Sequence, residues 1–335
     1  METDKYKYLG DIITSNGRNM ENLNARRIKL QASTITINTI AAGEVLNKIE
    51  TSVLLEMHEK KSISSLLTNA ESWDLNKTEE EEIEKIEIRS IKDLFNLPLQ
   101  TPTASIIYTF GTLFTKQRVD KIMLLYLHKM LNESEDDMPK RMFKKMHEQE
   151  IGWAKKIKTL LEYYNLPTEI TEVQRTPPGE WIYKVKVKIE EKNKERLLEE
   201  CYKTEDGTRK VKTKTSSIVA KLEDPAYKRQ PDPIIKTMTK QQTRTMIVSR
   251  YGMLECGKNW GGSVKKECDR CNCVDDEDHR LNNCIKWKDH NLYDDHRKVD
   301  FHHIYSDDEQ TVKNLMPHIE KLWNVKTGHG SLNSH

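Results

Sequence analysis

The stretch from Cys268 to Cys284, Cys-Asp-Arg-Cys-Asn-Cys-Val-Asp-Asp-Glu-Asp-His-Arg-Leu-Asn-Asn-Cys, constrains this chain more than any other. Cys268-x2-Cys271 lets one tight turn point two sulfurs at a single ion. His279-x4-Cys284 supplies two further donors from about one helical turn. Three thiols and an imidazole suit one tetrahedral zinc, and a closed Cys3His shell leaves no position for water or substrate. Such an ion organises a fold and does not catalyse. Cys273 follows Cys271 by two residues and could take its place, so the sequence leaves those two open as ligands. The chain has six cysteines. With Cys271 as the ligand, Cys201, Cys256 and Cys273 remain, expected as reduced thiols.

Hydrophobic residues make up 36% of the 335 residues and charged residues 32%, with only five Phe. That supports a lean core inside elongated helices with wide polar faces. With a net charge of only +2, the whole chain is not an obvious polyanion binder. Charge is nevertheless unevenly placed: Lys203 to Arg250 holds twelve Lys and Arg against five Asp and Glu. The N-terminus lacks a signal pattern, and no apolar run approaches the ~18 residues of a membrane span. A soluble intracellular protein, nuclear or cytoplasmic and without a membrane partner, is expected.

Patterning is mostly helical. Lys5 to Thr14 reads as extended, ending in a turn at Ser15-Asn16-Gly17. A helix is expected from Met20 to about Ile49, weakened by the β-branched cluster at Thr34 to Ile40. Others are expected at Val53 to Leu67 and from Thr78, where Thr78-x-x-Glu81 forms a capping box. Further helices begin at Thr101-Pro102, cover Val119 to Leu131 and Met142 to Met146, and run from Ile151 to Tyr164. Tyr183 to Ile189 alternates like a strand, but its continuation favours one helix from Glu180 to Tyr202. Residues 203–232, with Gly207, Pro225 and Pro231, read as a basic linker or mobile loop. Helix resumes at Pro233 and runs to about Gly252, and a terminal helix starts near Asp307.

Several segments, in order, resemble the C-terminal half of non-LTR (LINE-type) retrotransposon reverse transcriptases. They are Lys7-Tyr8-Leu9-Gly10-Asp11-Ile12-Ile13 with Asn16-Gly17, Asn22-x3-Arg26, Leu66 to Trp73, and Leu97-Pro98 with Thr101 to Ala104, Tyr108 and Gly111. Arg244 to Lys258 with Asn259-Trp260 then lead into the Cys-Cys-His-Cys motif. The resemblance covers roughly residues 5–290. It implies a mainly α protein: a short extended segment at 1–17 after a missing palm, a thumb-like helical domain at 18–132, and further helices at 133–202. A linker at 203–232, a helix plus zinc module at 233–290 and a tail with a helix at 291–335 would follow.

The family is an RNA-directed DNA polymerase, but its catalytic carboxylates and its endonuclease lie upstream of Tyr8. This chain is therefore expected to be inactive alone, with no catalytic residue assigned. The implied partners are RNA or DNA, together with the polymerase palm or a host ribonucleoprotein. Arg26, Arg27 and Lys29 would approach phosphates from the first thumb helix. Lys258, Lys265, Lys266, Arg270, Arg280 and Lys286 would do so around the zinc, with Trp260 for base stacking. The alternative is a non-catalytic, transposon-derived protein-interaction or pseudogene product.

Tyr305-Ser306-Asp307-Asp308 imitates the Tyr-x-Asp-Asp signature of a polymerase hairpin. It lacks apolar strand flanks, and Ser306-x-x-Glu309 reads instead as a capping box for the last helix. His302-His303 is not expected to be a metal pair, because adjacent side chains point apart.

Overall fold

The computed structural model describes residues 4–8, 11–14, 19–41, 49–205, 208–254, 256, 267–268, 270–284 and 300–323. In chain order these form β1 (Lys5–Tyr8), β2 (Asp11–Thr14), α1 (Met20–Ala41), α2 (Thr51–Met57), a π-helical segment (His58–Ile63) and α3 (Ser64–Leu66). Next come α4 (Lys77–Leu94), α5 (Thr103–Phe110), α6 (Thr115–Leu131), α7 (Met138–Glu148), α8 (Gly152–Tyr163), α9 (Ile170–Arg175) and α10 (Pro178–Cys201). The remainder is β3 (Tyr202–Glu205), β4 (Thr208–Val211), α11 (Ser216–Leu222), α12 (Lys240–Arg250) and α13 (Glu309–Trp323), with short 3-10 turns between. The protein is mainly helical, as its patterning predicts. Among the described residues no helix is long and apolar enough to cross a membrane.

Two interleaved units emerge. One comprises Met1–Thr34, His58–Ser90 and Thr112–Glu200; the other comprises Ile35–Met57, Ile91–Gly111 and Cys201–His335.

In the first unit, β1 and β2 pair antiparallel with Tyr6 opposite Ile13 and Tyr8 opposite Asp11. The expected single extended run is thus a hairpin that reverses after Tyr8, and the turn expected at Ser15-Asn16-Gly17 lies outside the described residues. The β-branched cluster does not break α1. Thr34 donates its hydroxyl to the Leu30 carbonyl and Thr39 to that of Ile35, so both satisfy themselves within the helix. Leu23 and Leu30 are buried on one face, and such packing outweighs propensities of a few tenths of a kcal/mol. The start of α4 differs from expectation by two residues: Asn76 caps the Glu79 amide at 3.1 Å, and Glu79 returns to the Asn76 amide at 3.0 Å. Asparagine is at least as good a cap as threonine, so this box displaces the one expected at Thr78 and Glu81.

Helix α10 settles the ambiguity at Tyr183 to Ile189. Trp181, Val185 and Ile189 are buried while Tyr183, which a strand would place on the same face, is 68% exposed, so the burial follows a helix and not a strand. Trp181 donates its indole N–H to the Leu124 carbonyl at 3.0 Å and stacks on His128. Tyr164 is buried in the same core and donates to Asp120 at 2.7 Å.

A buried polar cluster surrounds the π-helical segment. His58 sits 2.9 Å from the Ser90 hydroxyl, and Glu87 accepts from Thr115 at 2.7 Å and lies 3.3 Å from Arg118. Burial, with the Arg118 charge nearby, pushes the His58 imidazole down to about 4. Burial also raises Glu87 against the pull of Arg118. Because the folded state holds His58 neutral, its contribution is complete above the unfolded value near 6.5. It is lost as pH falls through that value toward about 4, by up to about 3 kcal/mol. Equilibrium denaturation of wild type and His58→Gln should diverge across that window, the variant showing the flatter profile; parallel profiles would contradict the burial argument.

In the second unit, Phe95 stacks on Phe110 at 4.7 Å. Gly111 ends α5 with φ of 60°, and a Cβ there would come within 2.2 Å of the Gln230 backbone. Only glycine fits that position. Residues 203–232 do not form a linker. They hold the β3–β4 hairpin and α11, whose Ile218, Val219 and Leu222 are buried. Nor is there one helix from Pro233 to Gly252. A 3-10 turn (Pro233–Thr237) gives way to extended backbone at Met238, and a complete Thr239–Gln242 capping box starts α12 afresh.

Candidate metal centre

The second unit also carries the Cys-Cys-His-Cys segment, which folds as two turns facing each other. In the first, the Cys268 amide donates to the Cys273 carbonyl at 2.8 Å, and Glu267 bridges Val274 across the loop. Asn272 closes the turn with a left-handed φ of 51°, a conformation asparagine tolerates. Cys268 and Cys271 consequently project from one reversal of the chain.

The second turn is π-helical, His279–Asn283, with the Cys284 amide donating to the His279 carbonyl at 2.8 Å. The π geometry matters for the ligands. In an α-helix, residues five apart point about 140° away from each other. The wider π turn brings the fifth residue back over the first, so His279 and Cys284 can share a target. Asp276 accepts from the His279 amide at 2.8 Å and so starts this turn. Helix α13 packs against this turn.

Together the turns gather one ligand atom each from Cys268, Cys271, His279 and Cys284, all within 4.8 Å of one another. Cys268 and Cys284 sulfurs lie 3.7 Å apart, and those of Cys271 and Cys284 3.9 Å apart. A tetrahedral centre with metal–sulfur bonds of about 2.3 Å requires about 3.8 Å between sulfurs. The donor set therefore fits a single metal ion. Among the described residues no other group of His, Cys, Asp and Glu is gathered in this way.

The Cys268 thiol is tuned for ligation. Burial raises it, but hydrogen bonds from the Arg270 and Cys271 backbone, together with His279 and Cys284, outweigh burial and bring it down to about 6. It is then largely thiolate, the ligating form, at neutral pH. Cys273 is exposed and lies outside the group of four. Its thiol is raised, by slight desolvation and by the neighbouring Cys271 and Cys268. Between the two cysteines left open by the sequence, the geometry selects Cys271.

The candidate nucleic-acid residues are less uniform. Arg27, Lys29 and Arg270 are exposed. Arg26 is not a surface cation: only 4% exposed, it donates to the Ser65 and Leu66 carbonyls at 3.2 and 3.0 Å and covers the Trp73 ring. Its place on the inner face of α1, beside Leu23 and Leu30, turns the guanidinium toward the protein. Arg280 forks onto Asp275 at 2.6 and 2.5 Å, bracing the loop between the two turns. Lys258, Trp260, Lys265, Lys266 and Lys286 lie outside the described residues.

The Tyr-x-Asp-Asp imitation is structural in every member. Tyr305 donates to the Arg250 carbonyl at 3.0 Å, Arg250 donates to the Ser306 carbonyl at 3.0 Å, and Asp307 pairs with Lys221. Asp308, rather than the expected Ser306, caps α13 by accepting from the Thr311 amide at 2.7 Å. Glu309 pairs with Lys313 instead of reaching back to Ser306. His302 and His303 are exposed on a 3-10 turn (Phe301–Tyr305) and belong to no metal cluster among the described residues.

Sequence reasoning missed three parts of the centre: the π turn, the Asp276 cap and the Arg280–Asp275 brace. Asp276-x-x-His279 has the spacing of an N-cap and its third helical residue, a signal that could have found the second. No protein-family model, no curated protein and no solved structure matches the chain.

Proposed function

We propose that this protein is a zinc-organised, nucleic-acid-binding chain, akin to the C-terminal part of a non-LTR reverse transcriptase. The observation that carries the reading is the group of three thiols and one imidazole with sulfurs 3.7 and 3.9 Å apart. Three soft sulfur donors and one nitrogen in tetrahedral spacing suit zinc above harder divalent ions. When bound, the ion supplies structure: it ties the turn at Cys268 to the π turn at His279. Asp276 and Arg280 hold those ligands in place.

Support for nucleic acid comes from the resemblance and from the placement of charge. In the β3–β4 hairpin Lys203 lies directly opposite Lys210 on one face, while Arg209 stands on the other over the Tyr202 ring. Exposed Arg27, Lys29 and Arg270 add further positive charge.

Titration of a single-stranded oligonucleotide at several salt concentrations tests the reading. Log affinity should fall with log salt at about −0.7 per neutralised phosphate. Lys203→Ala/Lys210→Ala should flatten that slope by about 1.4, two contacts' worth, without altering the metal content. A salt-independent affinity, or a double variant with the wild-type slope, would remove the hairpin from the interface.

A further inference from the structure

Cys273 stands apart from the four gathered ligands, yet its sulfur is 3.1 Å from His279 Nδ1 and 3.7 Å from Nε2. Cys273 therefore already lies beside the ring nitrogens whose position on the ion it would take. Its backbone is fixed there, since its carbonyl accepts from the Cys268 amide and the next residue, Val274, bridges Glu267. Its side chain is exposed, so it can rotate inward without disturbing packed neighbours.

We propose that Cys273 is a fifth metal donor that replaces His279, converting the Cys3His shell into a four-thiolate shell. This rests on the metal reading above. In the exchange the Cys273 sulfur–hydrogen bond breaks as the sulfur binds the metal, and the metal–nitrogen bond to His279 breaks. The released ring nitrogen takes up the proton from the neighbouring sulfur. No proton enters solvent and no electron changes hands, so the exchange needs no co-reactant. The module then keeps its ion through loss of the imidazole, because the replacement is held beside the ligand it replaces.

A different role would be to orient His279 by a hydrogen bond from the outer shell, and the two are separable. Loss of an outer-shell partner costs ~10–100-fold in metal affinity. The full-length protein is titrated with zinc, its sulfur ligands are counted by X-ray absorption, and each cysteine's alkylation is mapped by mass spectrometry. Wild type should bind one zinc with three sulfurs and leave Cys273 open to alkylation. Cys273→Ser should bind within a few fold of wild type. His279→Ala should retain one zinc with four sulfurs and a protected Cys273, whereas His279→Ala/Cys273→Ser should lose it. If wild type binds no zinc, the metal reading itself fails. If wild type binds zinc but His279→Ala binds none, or binds it with Cys273 still alkylated, the exchange is refuted while the metal reading stands. A ~10–100-fold loss in Cys273→Ser alone would assign the orienting role instead.

Discussion

Replacing Cys268 or Cys284 by serine is expected to abolish metal binding and, with it, the order of residues 267–284. The two turns share few apolar groups: Leu281 and Cys284 are buried, while Cys268, Cys271 and Cys273 are at least partly exposed. A segment of that size cannot hold itself closed by hydrophobic burial, and structural zinc in comparable peptides contributes roughly 10–16 kcal/mol near neutral pH. Most of that is folding free energy for the module. Limited proteolysis should therefore cut the variants within 267–284, and wild type there only when a chelator is present. The first unit's helices rest on a separate core around Trp181 and Tyr164, so their helical signal should persist. Wild-type resistance in both variants, with and without chelator, would refute a metal-dependent module.

The second large effect lies at Arg250. This side chain is 7% exposed and serves three acceptors: Asp232 at 2.6 Å, the Ile304 carbonyl at 2.6 Å and the Ser306 carbonyl at 3.0 Å. Asp232, 6% exposed, also caps the turn at Ile234. Removing the arginine leaves a buried carboxylate without its cation, which costs about 3–5 kcal/mol. Arg250→Met should lower stability by that amount in equilibrium denaturation and free the Phe301–Tyr305 turn to proteolysis. Converting both members, Arg250→Met with Asp232→Leu, should recover much of the loss, because no buried charge is then left alone. A single variant within 1 kcal/mol of wild type would show that the pair does not close this part of the fold.

The ligands were legible because their chemistry is carried by residue type and spacing alone. Three cysteines and a histidine at these intervals have few other uses, and the structure gathers the same four. The helical class was legible for a related reason: apolar residues such as Leu124, Leu127 and Leu131 recur at steps of three and four, a mixture that no strand places on one face. Boundaries depended on competition between adjacent caps, which spacing does not rank. Asn76 displaced Thr78, Asp308 displaced Ser306, and Thr239 began a helix inside a stretch that reads as continuous from Pro233. The basic segment after Lys203 shows the limit of composition, since charge and prolines conceal the short apolar face of Ile218, Val219 and Leu222. Arg26 makes the same point at one residue: a cation in a helix is not a surface charge when it shares the face of Leu23 and Leu30. The π turn left no sequence signal beyond the five-residue step from His279 to Cys284, which only a widened turn lets converge.

The metal content of the purified full-length protein tests the zinc-organised fold most directly. Zinc measured by plasma emission spectrometry after gel filtration should reach one ion per chain in wild type and fall to none in Cys268→Ser/Cys284→Ser. Zinc-free wild type with an intact 267–284 segment, or a double variant carrying as much zinc as wild type, would contradict it.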